Sequence, residues 1–170
     1  MVVRRPLIVN ATANQIQELP IGDDLPITGR ILQYAVGTQT TRSTLGNSAW
    51  ANTNLSVTIT PTYSTSSILI VTNQSIATSD NVSYGLRLLR GATVIYDTGY
   101  VFGDSSDGFN YQSWLATIFH VDQPSTTGAV TYSTQGGSWS TGTGYANVQQ
   151  TSAGDFQNGS SKIYALEISP

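Results

Sequence analysis

Leu55-Ser56-Val57-Thr58-Ile59-Thr60-Pro61 places an apolar side chain at every second position, a hydroxyl between each pair, and a proline at the end. A period of two sends Leu55, Val57 and Ile59 to one face of an extended chain and the hydroxyls to the other, which is the pattern of a half-buried strand. A few residues later Ile68-Leu69-Ile70-Val71 is apolar on both faces and reads as a central strand of a sandwich. Tyr84-Gly85-Leu86-Arg87-Leu88-Leu89-Arg90 alternates again, and Gly91-Ala92 turns the chain into Thr93 to Tyr96, a local hairpin. Trp114 to Val121, Val130 to Thr134 and Ile163 to Ile168 are further strand runs. On the N-terminal side, Ile31 to Val36 opens the series and Gly37 to Thr44 is a weaker, Thr-rich candidate. No stretch carries a helical period, and no tandem repeat or heptad is present. Eight or nine strands joined by Gly, Asn, Asp, Ser and Thr turns predict an all-β protein, a jelly-roll-like β-sandwich.

The first 29 residues differ from the rest. Pro6, Pro20 and Pro26 each remove a backbone donor and hold the preceding residue extended, so neither a helix nor a central strand is expected between Met1 and Gly29. The same segment is too apolar for a free solvated tail. Leu7, Ile8, Val9, Ile16, Leu19, Ile21 and Leu25 are its candidate attachment residues. The expected organisation is an extended N-terminal arm over 1–29 and a β-sandwich domain over 30–170. Fully extended, such an arm reaches at most about 100 Å, enough to cross a neighbouring protein.

Composition narrows the function. Charged residues make up 10% of the chain and hydrophobic ones 39%, with a net charge of −3. Ser and Thr, about a quarter of the sequence, take the places that charges hold on an ordinary surface. Little like-charge repulsion is left to keep copies apart, so burial in an assembly, as a homo-oligomeric trimer or dimer, is expected. Lys162 is the lone lysine and Arg4-Arg5 the only adjacent basic pair, which disfavours nucleic acid as a partner. The absence of cysteine removes disulfides, thiolate metal sites and thiol catalysis. No apolar run is long enough for a membrane helix, and no hydrophobic region follows Arg4-Arg5 as a signal peptide requires, so neither is expected.

The chemistry-bearing residues are few. His120, the only histidine, shares a strand face with Trp114, Ala116 and Ile118, and a structural or interface role is expected for it. Asp104-Ser105-Ser106-Asp107-Gly108 lacks the spacing and closing glutamate of a calcium loop and reads as a turn. Asp23-Asp24 follows Gly22 as a turn or a contact for a cationic partner. Glu167 sits on the last strand, where pairing with an arginine is expected. Gly136 to Tyr145 is a glycine-rich loop without a phosphate-binding lysine. Trp139 and Tyr145 in that loop suit either a subunit interface or a glycan, since aromatic rings stack on the apolar faces of sugars. Trp50 is expected to pack beneath a loop. No catalytic, metal or cofactor-binding residue is assigned, and no enzymatic activity is expected.

Several phrases together resemble a family. Ala13-Asn14-Gln15-Ile16-Gln17-Glu18-Leu19-Pro20-Ile21-Gly22-Asp23-Asp24-Leu25 is similar to the entry segment of tailed-phage virion proteins, cyanophage ones especially. Leu55 to Pro61 with Ser67 to Val71, Gly85 to Gly91, and Lys162-Ile163-Tyr164-Ala165-Leu166-Glu167-Ile168 fit the same pattern, whereas Phe102 to Phe156 departs from it. The resemblance implies a non-enzymatic virion structural protein on the particle surface, with phage capsid or tail proteins as partners. Capsid decoration (cement) anchored by the N-terminal arm is the expected role, because the chain is short and has no shaft. The alternative is a tail or head fibre protein that binds host surface glycans.

Overall fold

The computed structural model of the protein describes residues 7–10, 15–18, 28–45, 49–78, 83–102, 112–138, 143–152 and 155–170. Two short strands, β1 (Leu7–Asn10) and β2 (Gln15–Glu18), pair with each other as an antiparallel hairpin in which Val9 lies opposite Ile16. The arm therefore contains local strand pairing that its proline-punctuated sequence did not announce. The prolines fall outside both strands, so they do not oppose the hairpin.

The body follows as β3 (Ile31–Gln39), β4 (Ser43–Leu45), β5 (Ala51–Ile59), β6 (Ser67–Thr78), β7 (Tyr84–Arg90), β8 (Thr93–Phe102) and β9 (Gln112–Asp122). Then come β10 (Val130–Ser138), β11 (Gly144–Ala146), β12 (Val148–Ser152), β13 (Asp155–Asn158) and β14 (Ser161–Ile168). The Thr-rich run expected over Gly37 to Thr44 is divided: β3 absorbs its first half, and β4 begins after a break at Thr40 to Arg42.

One sheet has the order β5-β10-β7-β8. The other runs β3-β14-β6-β9, and β6, the longest strand, outlasts β14 and pairs with β11 and through it β4. Counted among the eight long strands alone, the sheets read 2-7-4-5 and 1-8-3-6, antiparallel throughout, which is the order of a jelly roll. The inner faces meet in one core. Leu55, Val57, Ile59, Leu86, Leu88 and Tyr132 from the first sheet pack on Ile68, Ile70, Ile118 and Ile163 from the second. The alternation over Leu55 to Thr60 is realised as read, with Ser56, Thr58 and Thr60 exposed.

Each side of the sandwich is closed differently. Where β3 passes β5, Gly37 comes so close to the other strand that an added Cβ would lie 1.8 Å from the Ser56 carbonyl oxygen, so only glycine fits. On the other side the Tyr96 ring of β8 meets His120 of β9, with centroids 5.6 Å apart. At the same side Arg90 at the end of β7 donates to both carboxylate oxygens of Asp122 at the end of β9, at 2.9 and 3.1 Å. The buried Tyr132 hydroxyl donates to the same carboxylate at 2.8 Å. Asp122 is thus a buried tie between the sheets.

Candidate interface

Ile68 to Val71 is central in its sheet, but only one of its faces is covered. Ile68 and Ile70 are buried in the core, whereas Leu69 and Val71 point outward and are only partly buried. Strand register extends each of them into a row. Tyr34, Leu166, Leu69 and Val121 lie side by side across β3, β14, β6 and β9. Val36, Tyr164, Val71 and Phe119 form the next row. Tyr34 is 73%, Phe119 69% and Val121 57% exposed, values normally found for charged side chains. The third row turns polar, with Thr38, Lys162, Asn73 and Thr117. Ile31 and Leu115, 57% and 62% exposed, extend the apolar surface at opposite ends. Beyond Leu115 the β12 strand rises as a wall, and a groove of about 410 Å³ opens between them, lined by Ser75, Trp114, Val148, Gln149 and Ser160.

The outer face of the other sheet has a different character. Its central rows carry Asn52, Ser56, Thr58, Thr131, Ser133 and Gln135, and Thr58 and Thr131 share a hydrogen bond at 2.8 Å. At one corner Trp50 lies against the backbone of Gly85 and Gly137, where a Cβ would crowd its ring. The Arg87 guanidinium stands 3.8 Å from its centroid, and Tyr100 stacks beside it at 5.4 Å. Arg87 also pairs with Asp97 at 2.8 Å. Burial works against the charge of Asp97, but the Gly99 amide and Arg87 outweigh it and hold its pKa below the ordinary value. Trp50 is therefore packed on the face of the sheet, half-buried against β7 and β10, rather than beneath a loop.

Between the sheets lies a polar seam with no local signature in the sequence. Thr134 donates to Gln74 Oε1 at 2.8 Å, and Gln74 Nε2 donates to Asn147 Oδ1 at 2.8 Å and to Ser161 at 3.2 Å. Asn147 Nδ2 in turn donates to the carbonyls of Thr53 at 2.7 Å and Thr41 at 3.1 Å. Asn147 reaches these partners from a left-handed backbone, φ 59°, which asparagine tolerates better than most residues. A second buried polar group is Glu167. Burial would raise its pKa, but donors from Gln33 (2.6 Å), the Thr62 amide (2.6 Å) and the Thr62 hydroxyl (2.9 Å) hold it below the usual carboxylate range. Neutral donors thus take the place of the arginine expected there.

The residues singled out from sequence are dispersed. Leu7, Ile8, Val9 and Ile16 lie on β1 and β2, while Leu19, Ile21 and Leu25 fall outside the described residues. Trp139 and the Asp104–Asp107 turn fall outside them too. Tyr145 is on β11 rather than a loop, packed on Ala77 and Val148 with Arg42 over its ring at 5.2 Å. The apolar outer face was missed. Its signal was available: Leu115, Phe119 and Val121, like Tyr164 and Leu166, occupy the alternate positions of runs whose other face is core. Among the described residues no cluster of three His, Cys, Asp or Glu side chains could hold a metal ion. No protein-family model matches the chain, and no curated protein matches it.

Proposed function

We propose that this chain is a non-enzymatic structural protein of a bacteriophage particle, a capsid decoration protein fixed by its N-terminal arm. The observation that carries the reading is the contrast between the two outer faces. One sheet turns an apolar surface outward and the other, over β5 and β10, a hydroxyl and amide surface. A protein that works alone in water gains nothing from two adjoining apolar rows in which Tyr34, Val36, Phe119 and Val121 are exposed, and faces of this kind mark interaction sites. The arm joins the body at a corner of that same sheet, where Gly29 and Arg30 bond to Ser169 beside the first residue of β3. The arm thus leaves the body at the edge of the sheet that carries the apolar face. The polar face is left for solvent, where a surface poor in charge changes little with ionic strength.

The reading is tested by truncation. Removal of residues 1–29 is expected to leave a folded, soluble sandwich that no longer joins particles. Normal occupancy of particles by the truncated protein would overturn the attachment role.

A fibre protein that binds host glycans is the second reading, supported by the exposed hydroxyl and amide side chains of Asn52, Thr58 and Thr131 on the polar face. Copy number separates the two: hundreds per particle support decoration, a few dozen or fewer a fibre.

A further inference from the structure

We infer that the outer face of the β3-β14-β6-β9 sheet is the surface through which this protein packs against a second copy of itself. The inference deepens the proposed function and rests on its premise that the face is buried in an assembly; it names the occupant. Three properties of the face select that occupant.

The first is charge. Across the four strands Lys162 is the only charged side chain that points outward among the described residues, and it lies in the polar third row. A basic or acidic partner would find no complementary charge here, and a membrane surface would find no ring of cations. An apolar surface is complementary to a copy of itself, as a charged one is not.

The second is extent. With strands about 4.8 Å apart and residues about 3.4 Å apart, the two apolar rows cover roughly 19 by 14 Å, on the order of 260 Å². The arm's own hairpin, four residues per strand, spans only about 130 Å² by the same spacings and covers half of them at most. A whole sheet covers them all. Two sheets stacked about 10 Å apart bury such rows as a sandwich core does. The rows supply about a third of the ~800 Å² per partner of a standard interface, and Ile31, Leu115 and the polar rim supply the rest.

The third is composition. Tyr34, Tyr164 and Phe119 with Leu69, Val71 and Val121 give the mix of aromatic and aliphatic side chains found at the centre of protein interfaces. The low net charge opposes self-association little.

The test is the mass of the full-length protein in solution, by light scattering behind a sizing column, for wild type, Phe119→Asp, Tyr34→Asp and, as a control on the opposite face, Thr58→Asp. Circular dichroism and a melt confirm that each is folded, which exposure of all three sites favours. Wild type and Thr58→Asp are expected at the same integer multiple of the chain mass, and both face variants at one chain mass. A monomeric wild type at tens of micromolar, or face variants that keep the wild-type mass, would overturn the inference. Particle incorporation read in parallel separates this from the broader reading. If wild type is monomeric but Phe119→Asp is excluded from particles, the face binds another particle protein. If the variants incorporate normally, the face has no part in assembly.

Discussion

The buried polar residues set what single substitutions do. Glu167 has its folded pKa lowered below the ordinary 4.5, so its stabilising effect is complete above that value and is lost as pH falls through the folded pKa. Glu167→Gln turns an amide toward the Thr62 and Gln33 donors and is expected to cost about 1–3 kcal/mol at neutral pH. Urea melts should show the gap between variant and wild type shrinking below about pH 4, where the wild type also loses the charge. Tyr84 and Tyr132 behave in the opposite sense. Burial pushes both phenols well above 10.0, assisted at Tyr132 by the Asp122 carboxylate. A raised folded pKa gives stability that is present below pH 10 and declines as pH rises further, because the unfolded chain releases protons that the folded one keeps. Absorbance titration should find both rings silent until the protein unfolds. The two hydroxyls differ in worth: that of Tyr84 is buried with no hydrogen-bond partner among the described residues, whereas that of Tyr132 holds Asp122. Tyr84→Phe is therefore expected to leave stability unchanged or higher, and Tyr132→Phe to lower it by about 1–3 kcal/mol in a thermal melt.

Strands were legible in the sequence to the extent that burial is one-sided. Leu55 to Thr60 could be read to the residue because the core covers one face and water the other. Ile68 to Val71 was read correctly as central, but what its outward side chains meet was not legible, since a run apolar on both faces looks the same whether its second face meets its own chain or another molecule. The seam around Gln74 and Asn147 was illegible. It joins residues 60 or more positions apart, through contacts that leave no local period. β11, β12 and β13 escaped notice for a related reason: they are short, and their placement follows from where β14 stops along β6 rather than from their own pattern. Asn147, the hub of that arrangement, gives an element-scale expectation. Asn147→Ala removes the donor to the Thr53 and Thr41 carbonyls and takes one of its hydrogen-bond partners from Gln74, and is expected to lower stability by about 2–4 kcal/mol in denaturant melts. The tie between the sheets through Arg90 and Asp122 is buried on the carboxylate side only, since 36% of the Arg90 side chain is exposed. Arg90→Ala is expected to cost about 1–3 kcal/mol, and Arg90→Ala with Asp122→Asn less than the sum of the two single changes.

At the scale of the whole molecule, the proposed mounting on a particle draws on a jelly roll whose two outer faces differ, one more apolar and one more polar. The fold alone assigns no function, and the reading rests on the surface. Its central claim is that the face bearing Tyr34, Val36, Phe119 and Val121 is covered when the protein is in its working state. Hydroxyl-radical footprinting tests that most directly, because it labels exposed aromatic and aliphatic side chains one by one. The measurement compares the protein on purified particles with a dilute solution in which any self-association has been reversed. The account predicts that Tyr34, Phe119, Leu115 and Val121 lose most of their labelling on the particle, while Val94 and Tyr63, exposed elsewhere on the molecule, keep theirs. Equal labelling of Tyr34 and Phe119 in the two states would contradict it.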